Sequence, residues 1–302
     1  MNLPLRPPLV VHHMAAFDGS GFPPNSLEGV RASLEHGASF IELDITALAR
    51  DDYLLVHDPV LESETTGSGP VADCTPEAAQ ALYCKVKGTV TPFHVPVLSQ
   101  VVALFLEYPT ATRLQLDFKN MIPFPDEEPL LRLIRLLEPL GDRVIVSTGA
   151  DWQLRRLRRL APWLDLGFDI HFYIDRHNPA HPRNPAAYPK HLGAYGFYDD
   201  HPLATERIWS TADYLADRCG MFVGLVPGIS TFYIDHRFLI ESLEAGFNWA
   251  EALHAVGIKC DAWTLDVGNP VAEANAPRLL AAGVDQFTTN TPVAMQTLLQ
   301  GG

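Results

Sequence analysis

Short apolar runs and segments of helical periodicity alternate from one end of this chain to the other. The runs are LVVHHM (9–14), SFIELDIT (39–46), TRLQLDFK (112–119), RVIVST (143–148), DLGFDI (165–170), FVGLV (222–226), CDAWTLD (260–266) and VDQFTT (284–289). Between them SLEGVRASLEHG, EEPLLRLIRLLEPLG, DWQLRRLRRLAPW, FNWAEALHAVG, APRLLAAG and PVAMQTLLQ repeat apolar residues at steps of three and four, the spacing of one helical face. Several end at glycine, which closes helices by adopting left-handed backbone. Strand, helix, strand repeated in this way builds parallel βαβ units, and eight of them close into a (β/α)8 TIM barrel of about 250 residues. The expected fold class is α/β, a TIM barrel. The 302 residues exceed that size, and the excess falls in two expected insertions, 60–111 and 171–221. No linker or composition break divides the chain, so residues 1–302 read as one domain.

The net charge of −14 opposes binding to a phosphate backbone, so nucleic acid is not an expected partner. Cys74, Cys84, Cys219 and Cys260 lie far apart and form no metal-type CxxC pair, as reduced thiols of a cytoplasmic protein would. The opening MNLPLRPPLVVHH has no signal-peptide pattern, and no apolar run approaches the ~18 residues of a transmembrane segment. A cytoplasmic location is expected. The one dense basic stretch, RRLRRL (155–160), carries Leu154, Leu157 and Leu160 as a stripe, so its arginines read as the solvated face of an amphipathic helix.

In such a barrel the chemistry sits at the C-terminal ends of the strands. The first run ends in His12-His13. The second carries Glu42 and Asp44 and is followed by LLVHDP with His57 and Asp58, and the third ends in Asp117-Phe118-Lys119. Alternate strand residues share a face, so Glu42 and Asp44 point one way while Ile41, Leu43 and Ile45 point the other. Buried carboxylates demand a compensating cation. Three carboxylates, two histidines and a lysine converging on one mouth suit one divalent cation, Mg²⁺ or Ca²⁺, with positions left for substrate oxygens. Only one of His12 and His13 can face that mouth.

The order of these residues resembles the glycerophosphodiester phosphodiesterase family, whose members carry His-Arg-Gly, Pro-Glu-Asn-Thr, Glu-x-Asp and then His-Asp. Here HMA (13–15), PPNSLEG (23–29), IELDI (41–45) and VHDPVLESETTGSGPV (56–71) follow in that order. The family's strand-three Glu-x-Lys corresponds to LDFK (116–119), and its late signatures to AWTLD (262–266) and GVDQFTTNTP (283–292). The resemblance implies Glu42, Asp44 and Asp117 as metal ligands, His13 and His57 as the acid/base pair, Lys119 as a phosphate-facing cation and Trp263 as a wall of the substrate pocket. Met14 stands where the family has arginine, Pro24 where it has glutamate, and Asp117 where strand three has glutamate. His-Met and Asp-x-Lys are instead similar to the related sphingomyelinase D and phospholipase D toxin barrels.

The segment 171–202, HFYIDRHNPAHPRNPAAYPKHLGAYGFYDDHP, holds five of the twelve histidines and many aromatics. Its spacings match no common zinc pattern, and it reads as an ordered lid whose aromatics stack on an apolar or cationic head group. His171 at its start and Tyr233 in TFYIDHRF (231–238) extend the substrate wall, with Asp235 beside them. The function expected is a metal-dependent phosphodiesterase cleaving glycerophosphodiesters to an alcohol and glycerol phosphate, in the family by way of a cyclic phosphate. The substrate expected is a small phosphodiester or a lysolipid. Two alternatives stand beside it: a phospholipase D-like lyase acting on lysophospholipid or sphingomyelin, and a barrel that binds without catalysis.

Overall fold

Every residue of Phe40–Ala47 is buried, because this strand lies between helices on one side and a crowded barrel interior on the other. Ile41, Leu43 and Ile45 are fully buried in the main core, and Glu42 and Asp44 alternate with them at 3% and 1% exposure. The computed structural model describes residues 8–180 and 190–300. Its eight parallel strands are β1 (Leu9–His12), β2 (Phe40–Ala47), β3 (Arg113–Phe118), β4 (Val144–Thr148), β5 (Asp165–Asp169), β6 (Thr231–Asp235), β7 (Lys259–Trp263) and β8 (Gln286–Thr289). They neighbour one another in chain order, and β1 pairs with both β8 and β2. The sheet is therefore a closed barrel, as expected.

The principal crossover helices are α1 (Leu27–Glu35), α2 (Leu98–Glu107), α3 (Glu128–Leu137), α4 (Asp151–Leu160), α5 (Thr211–Leu225), α6 (His236–Glu244), α7 (Trp249–His254), α8 (Pro270–Ala281) and α9 (Pro292–Gln300). Local sequence sets their starts. Ser26 accepts from the Gly29 N–H, Ser210 from the Asp213 N–H, and Asn248 from the Glu251 N–H, each satisfying a donor that the first helical turn leaves unpaired. Helix α4 carries the RRLRRL run. Its Leu154 and Leu157 are fully buried, each contributing about 1.5–3 kcal/mol, and Arg158 donates to the carbonyls of Pro162, Leu164 and Gly228. No helix among the described residues is long and apolar enough to cross a membrane.

The structure moves three expected boundaries. FVGLV (222–226) is not the sixth strand: Phe222 is buried near the end of α5, and the strand is Thr231–Asp235. A five-residue apolar run fits a buried helical face as well as a strand, and the cap at Ser210 decides for the helix. The first insertion is shorter than 60–111, because Leu98–Glu107 is the crossover helix between β2 and β3. The inserted segment packs a small core of its own that includes Leu48, Val56, Leu61, Val71 and Val95. The second insertion likewise ends where α5 begins. Its described part includes a two-stranded ribbon, Ile174–Arg176 against Phe197–Asp199. His181 and the rest of the expected lid through residue 189 lie outside the described residues.

Candidate active site

Register brings the acids together. Glu42 lies opposite Gln115 and Asp44 opposite Asp117 across β2 and β3, so the carboxylates occupy adjacent strands at the C-terminal mouth. One ligand oxygen from each of Glu42, Asp44 and Asp117 lies within 4.8 Å of the others. Burial, then the nearby charges of Asp44 and Asp117, raises the Glu42 pKa well above the usual carboxylate range. At Asp44 burial acts upward too, but the ammonium of Lys119 and the amide of Asn25 outweigh it and hold the pKa low. Lys119 Nζ lies 2.5 Å from Asp117 Oδ2 and 2.9 Å from Asp44 Oδ1. Hard, oxygen-only donors this close fit a divalent cation of the Mg²⁺ or Ca²⁺ type, which would relieve the repulsion expressed at Glu42.

Two histidines flank the acids. His13 lines the mouth, while His12 points away and bonds Ser33 Oγ at 3.0 Å, as strand alternation requires. His13 Nδ1 is 2.9 Å from Asn290 Oδ1. The Asn290 amide nitrogen donates to Asp266 Oδ2 at 3.0 Å, so its oxygen faces the histidine and accepts from a protonated Nδ1. That leaves His13 Nε2, 3.9 Å from Glu42 Oε2, free to take a proton. His57 Nδ1 is paired in the same manner with Asp58 Oδ1 at 2.9 Å. The loop holding it is fixed by Glu64, whose Oε2 accepts from the His57 and Asp58 N–H groups at 2.8 and 2.9 Å. Both rings are thus oriented by their Nδ1 atoms.

Met14 and Ala15 adopt left-handed backbone, with φ of 51° and 54°, a conformation side chains other than glycine rarely take. This turn aims the Met14 N–H at Glu42 Oε2, 2.8 Å away. The Met14 carbonyl accepts from Asn25, and Asn25 in turn clamps Asp44, donating to its Oδ2 at 3.0 Å and accepting from its N–H at 3.1 Å.

The mouth is a cavity of about 260 Å³ whose lining includes His13, Glu42, His57, Asp117, Lys119, Tyr233 and Trp263. Of its described lining residues, Lys119 is the one lysine or arginine. Tyr233 is 3% exposed and its hydroxyl has no hydrogen-bond partner among the described residues. The expected wall residue His171 lies one step away, in an adjoining cavity of about 1320 Å³ that also meets His57 and Trp263. There it accepts from the Asp235 N–H at 2.8 Å and packs edge-on against Trp263, ring centres 5.2 Å apart. Asp235 caps α6 through the N–H groups of Arg237 and Phe238.

Asn25, Asp266 and Asn290 carry no local signal of their roles in the sequence, since what they orient lies far along the chain. Asp169, a buried acid at the end of β5 whose pKa burial raises, has its strand-end position as a signal.

A closed (β/α)8 barrel with an acidic, cation-compatible mouth between two oriented histidines is thus defined. Residues 18–294 match the Glycerophosphoryl diester phosphodiesterase family, and the chain belongs to it. A glycerophosphodiester phosphodiesterase of Caldanaerobacter subterraneus subsp. tengcongensis is 29% identical over 163 residues, 53% of this chain. The match spans 65% of that relative's length. Among solved structures, a glycerophosphodiester phosphodiesterase from Parabacteroides distasonis superposes with a TM-score of 0.67 at 15% identity, covering 97% of each chain. An Oleispira antarctica phosphodiesterase in complex with the product sn-glycerol-3-phosphate gives 0.62 at 16% identity, again over 97% of each. At such identities these structures share the fold.

Proposed function

We propose that this chain, acting as one domain, is a metal-dependent phosphodiesterase that cleaves glycerophosphodiesters to an alcohol and glycerol phosphate. The observation that carries the reading is the triad Glu42, Asp44 and Asp117 within 4.8 Å beside two histidines held by their Nδ1 atoms. Family membership and a structural neighbour bound to sn-glycerol-3-phosphate support it. When bound by the triad, Mg²⁺ or Ca²⁺ supplies charge neutralisation at a phosphate oxygen. Of His13 and His57, one accepts the proton of the attacking hydroxyl and the other returns a proton to the leaving alkoxide. Attack by the substrate's own neighbouring hydroxyl forms a cyclic phosphate as the bond to the alcohol breaks, and water then adds to open that ring to glycerol phosphate. Lys119 adds the positive charge that Met14 cannot, and Trp263, Tyr233 and His171 shape the substrate wall. The four free, buried cysteines support a cytoplasmic setting.

Phosphorus NMR of glycerophosphocholine and glycerophosphoethanolamine turnover tests this reading, using metal-depleted, Mg²⁺-loaded and Ca²⁺-loaded protein. Glycerol phosphate or its cyclic form is expected only with metal, and Glu42→Gln and Asp44→Asn should lose cation binding by calorimetry while keeping their circular dichroism. Full activity in chelator, or unaltered cation binding by both variants, would overturn it.

A further inference from the structure

The two histidines of the mouth are held by different kinds of acceptor. His57 Nδ1 faces the Asp58 carboxylate at 2.9 Å, and an ionised carboxylate can only accept. That contact by itself keeps the His57 proton on Nδ1. His13 Nδ1 faces the side-chain amide of Asn290, also at 2.9 Å, and an amide can present either its oxygen or its NH2 group. With the oxygen inward, His13 carries its proton on Nδ1 and a lone pair on Nε2. With the NH2 inward, Nδ1 must accept, the proton moves to Nε2, and the ring has no lone pair left to take a proton. The orientation of His13 is therefore incomplete without a group that chooses the face of the amide.

Asp266 stands behind that amide. It lies just beyond β7, Asn290 follows β8 directly, and the Leu265 N–H donates to the Thr288 carbonyl at 2.9 Å, holding the two loops side by side. Asp266 Oδ1 accepts from the Asn290 backbone N–H at 2.8 Å and from Thr289 Oγ1 at 3.3 Å. Asp266 Oδ2 accepts from Asn290 Nδ2 at 3.0 Å. A turned amide would set its own oxygen against Oδ2, two acceptors in contact. We propose that Asp266 is a positioning residue that selects the tautomer of His13: by accepting from both N–H groups of Asn290 it turns the amide oxygen to Nδ1 and leaves Nε2 free to take a proton. The inference rests on the phosphodiesterase reading for what that tautomer does in turnover, but the tautomer itself is measured apart from turnover.

Asp266→Asn makes the decisive change with no change of shape. Two donors converge on Oδ1, so the oxygen of the new amide stays there and its NH2 faces Asn290. The Asn290 amide should then turn over and drive the His13 proton to Nε2. Exchanging the pair, Asp266→Asn with Asn290→Asp, should reverse this, because the moved carboxylate accepts from both the histidine and the new amide. Nitrogen-15 NMR of the His13 imidazole reads the proton directly. It is recorded on metal-free protein at about pH 8, where an ordinary imidazole is neutral, and His13→Gln identifies the signals. The expected result is Nδ1–H in the parent chain, Nε2–H in the single variant and Nδ1–H again in the exchanged pair, with His57 unchanged throughout. In metal-loaded protein, kcat on glycerophosphocholine should fall about tenfold or more in the single variant and return to within about threefold in the exchanged pair. His13 keeping Nδ1–H in Asp266→Asn, or holding Nε2–H in the exchanged pair, overturns the assignment. A kcat indifferent to the moved proton overturns its part in turnover. A proton that moves and returns while no protein turns over any diester upholds Asp266 as the selector and refutes the phosphodiesterase reading.

Discussion

Lys119 is where the charge balance of the site is decided. Its ammonium touches Asp117 and Asp44, and these acids raise its pKa against the opposing effect of burial. Such a lysine holds the acids together before a cation arrives and remains beside them for a phosphate afterwards. Lys119→Met should destabilise metal-free protein by about 3 kcal/mol, the scale for unpairing a buried charge, with added Ca²⁺ or Mg²⁺ recovering more of the melting temperature than in the parent chain. Its kcat/KM on a diester should fall by about a hundredfold or more. Full turnover in that variant would confine Lys119 to a structural role. Asn290 makes a separate prediction, since it fixes the tautomer of His13. Asn290→Leu should lower kcat by about ten- to a hundredfold while cation affinity by calorimetry stays near that of the parent; equal kcat would mean the ring holds its orientation without the amide.

At the level of elements, the barrel interior depends on where side chains are left out. An added Cβ at Gly167 in β5 would lie 2.3 Å from Tyr233 Cε2 on the neighbouring strand, and Ser147 closes the other side at 3.2 Å. Gly167→Ala should therefore cost about 1–3 kcal/mol in urea unfolding, the usual penalty for overpacking. Gly220 is the opposite case. It is exposed on α5, an added Cβ meets nothing within 4 Å, and Gly220→Ala should stabilise by about 0.5–1 kcal/mol through helix propensity. If Gly167→Ala left stability unchanged or raised it, the packing argument at Gly167 would fail.

For the whole molecule, acid stability carries a contribution from His12. Burial, reinforced by nearby His36, lowers its pKa to about 4, against about 6.5 in an unfolded chain. Between these values the unfolded chain binds the extra proton, so this contribution is intact above about pH 6.5 and is lost as pH falls toward 4, up to about 3 kcal/mol. A variant without that imidazole, His12→Asn, should lose less stability across this window than the parent chain. Parallel acid limbs in chemical denaturation would refute the assignment.

The sequence by itself determined which residues share a face and in what order they meet the barrel mouth. Period two in FIELDITA separates Glu42 and Asp44 from Ile41, Leu43 and Ile45, and the recurring helical period requires βαβ units. These are local properties of a chain whose backbone geometry is fixed. Tertiary structure decided what depends on distant partners. Most of FVGLV is helical, with Phe222 of α5 packed against Phe168 of β5, a choice a short run cannot express. Asn25 reaches Asp44 across 19 positions and Asn290 reaches His13 across 277. Those contacts exist because barrel closure pairs β1 with both β2 and β8, and strand register, which no local pattern encodes, sets Asp44 beside Asp117.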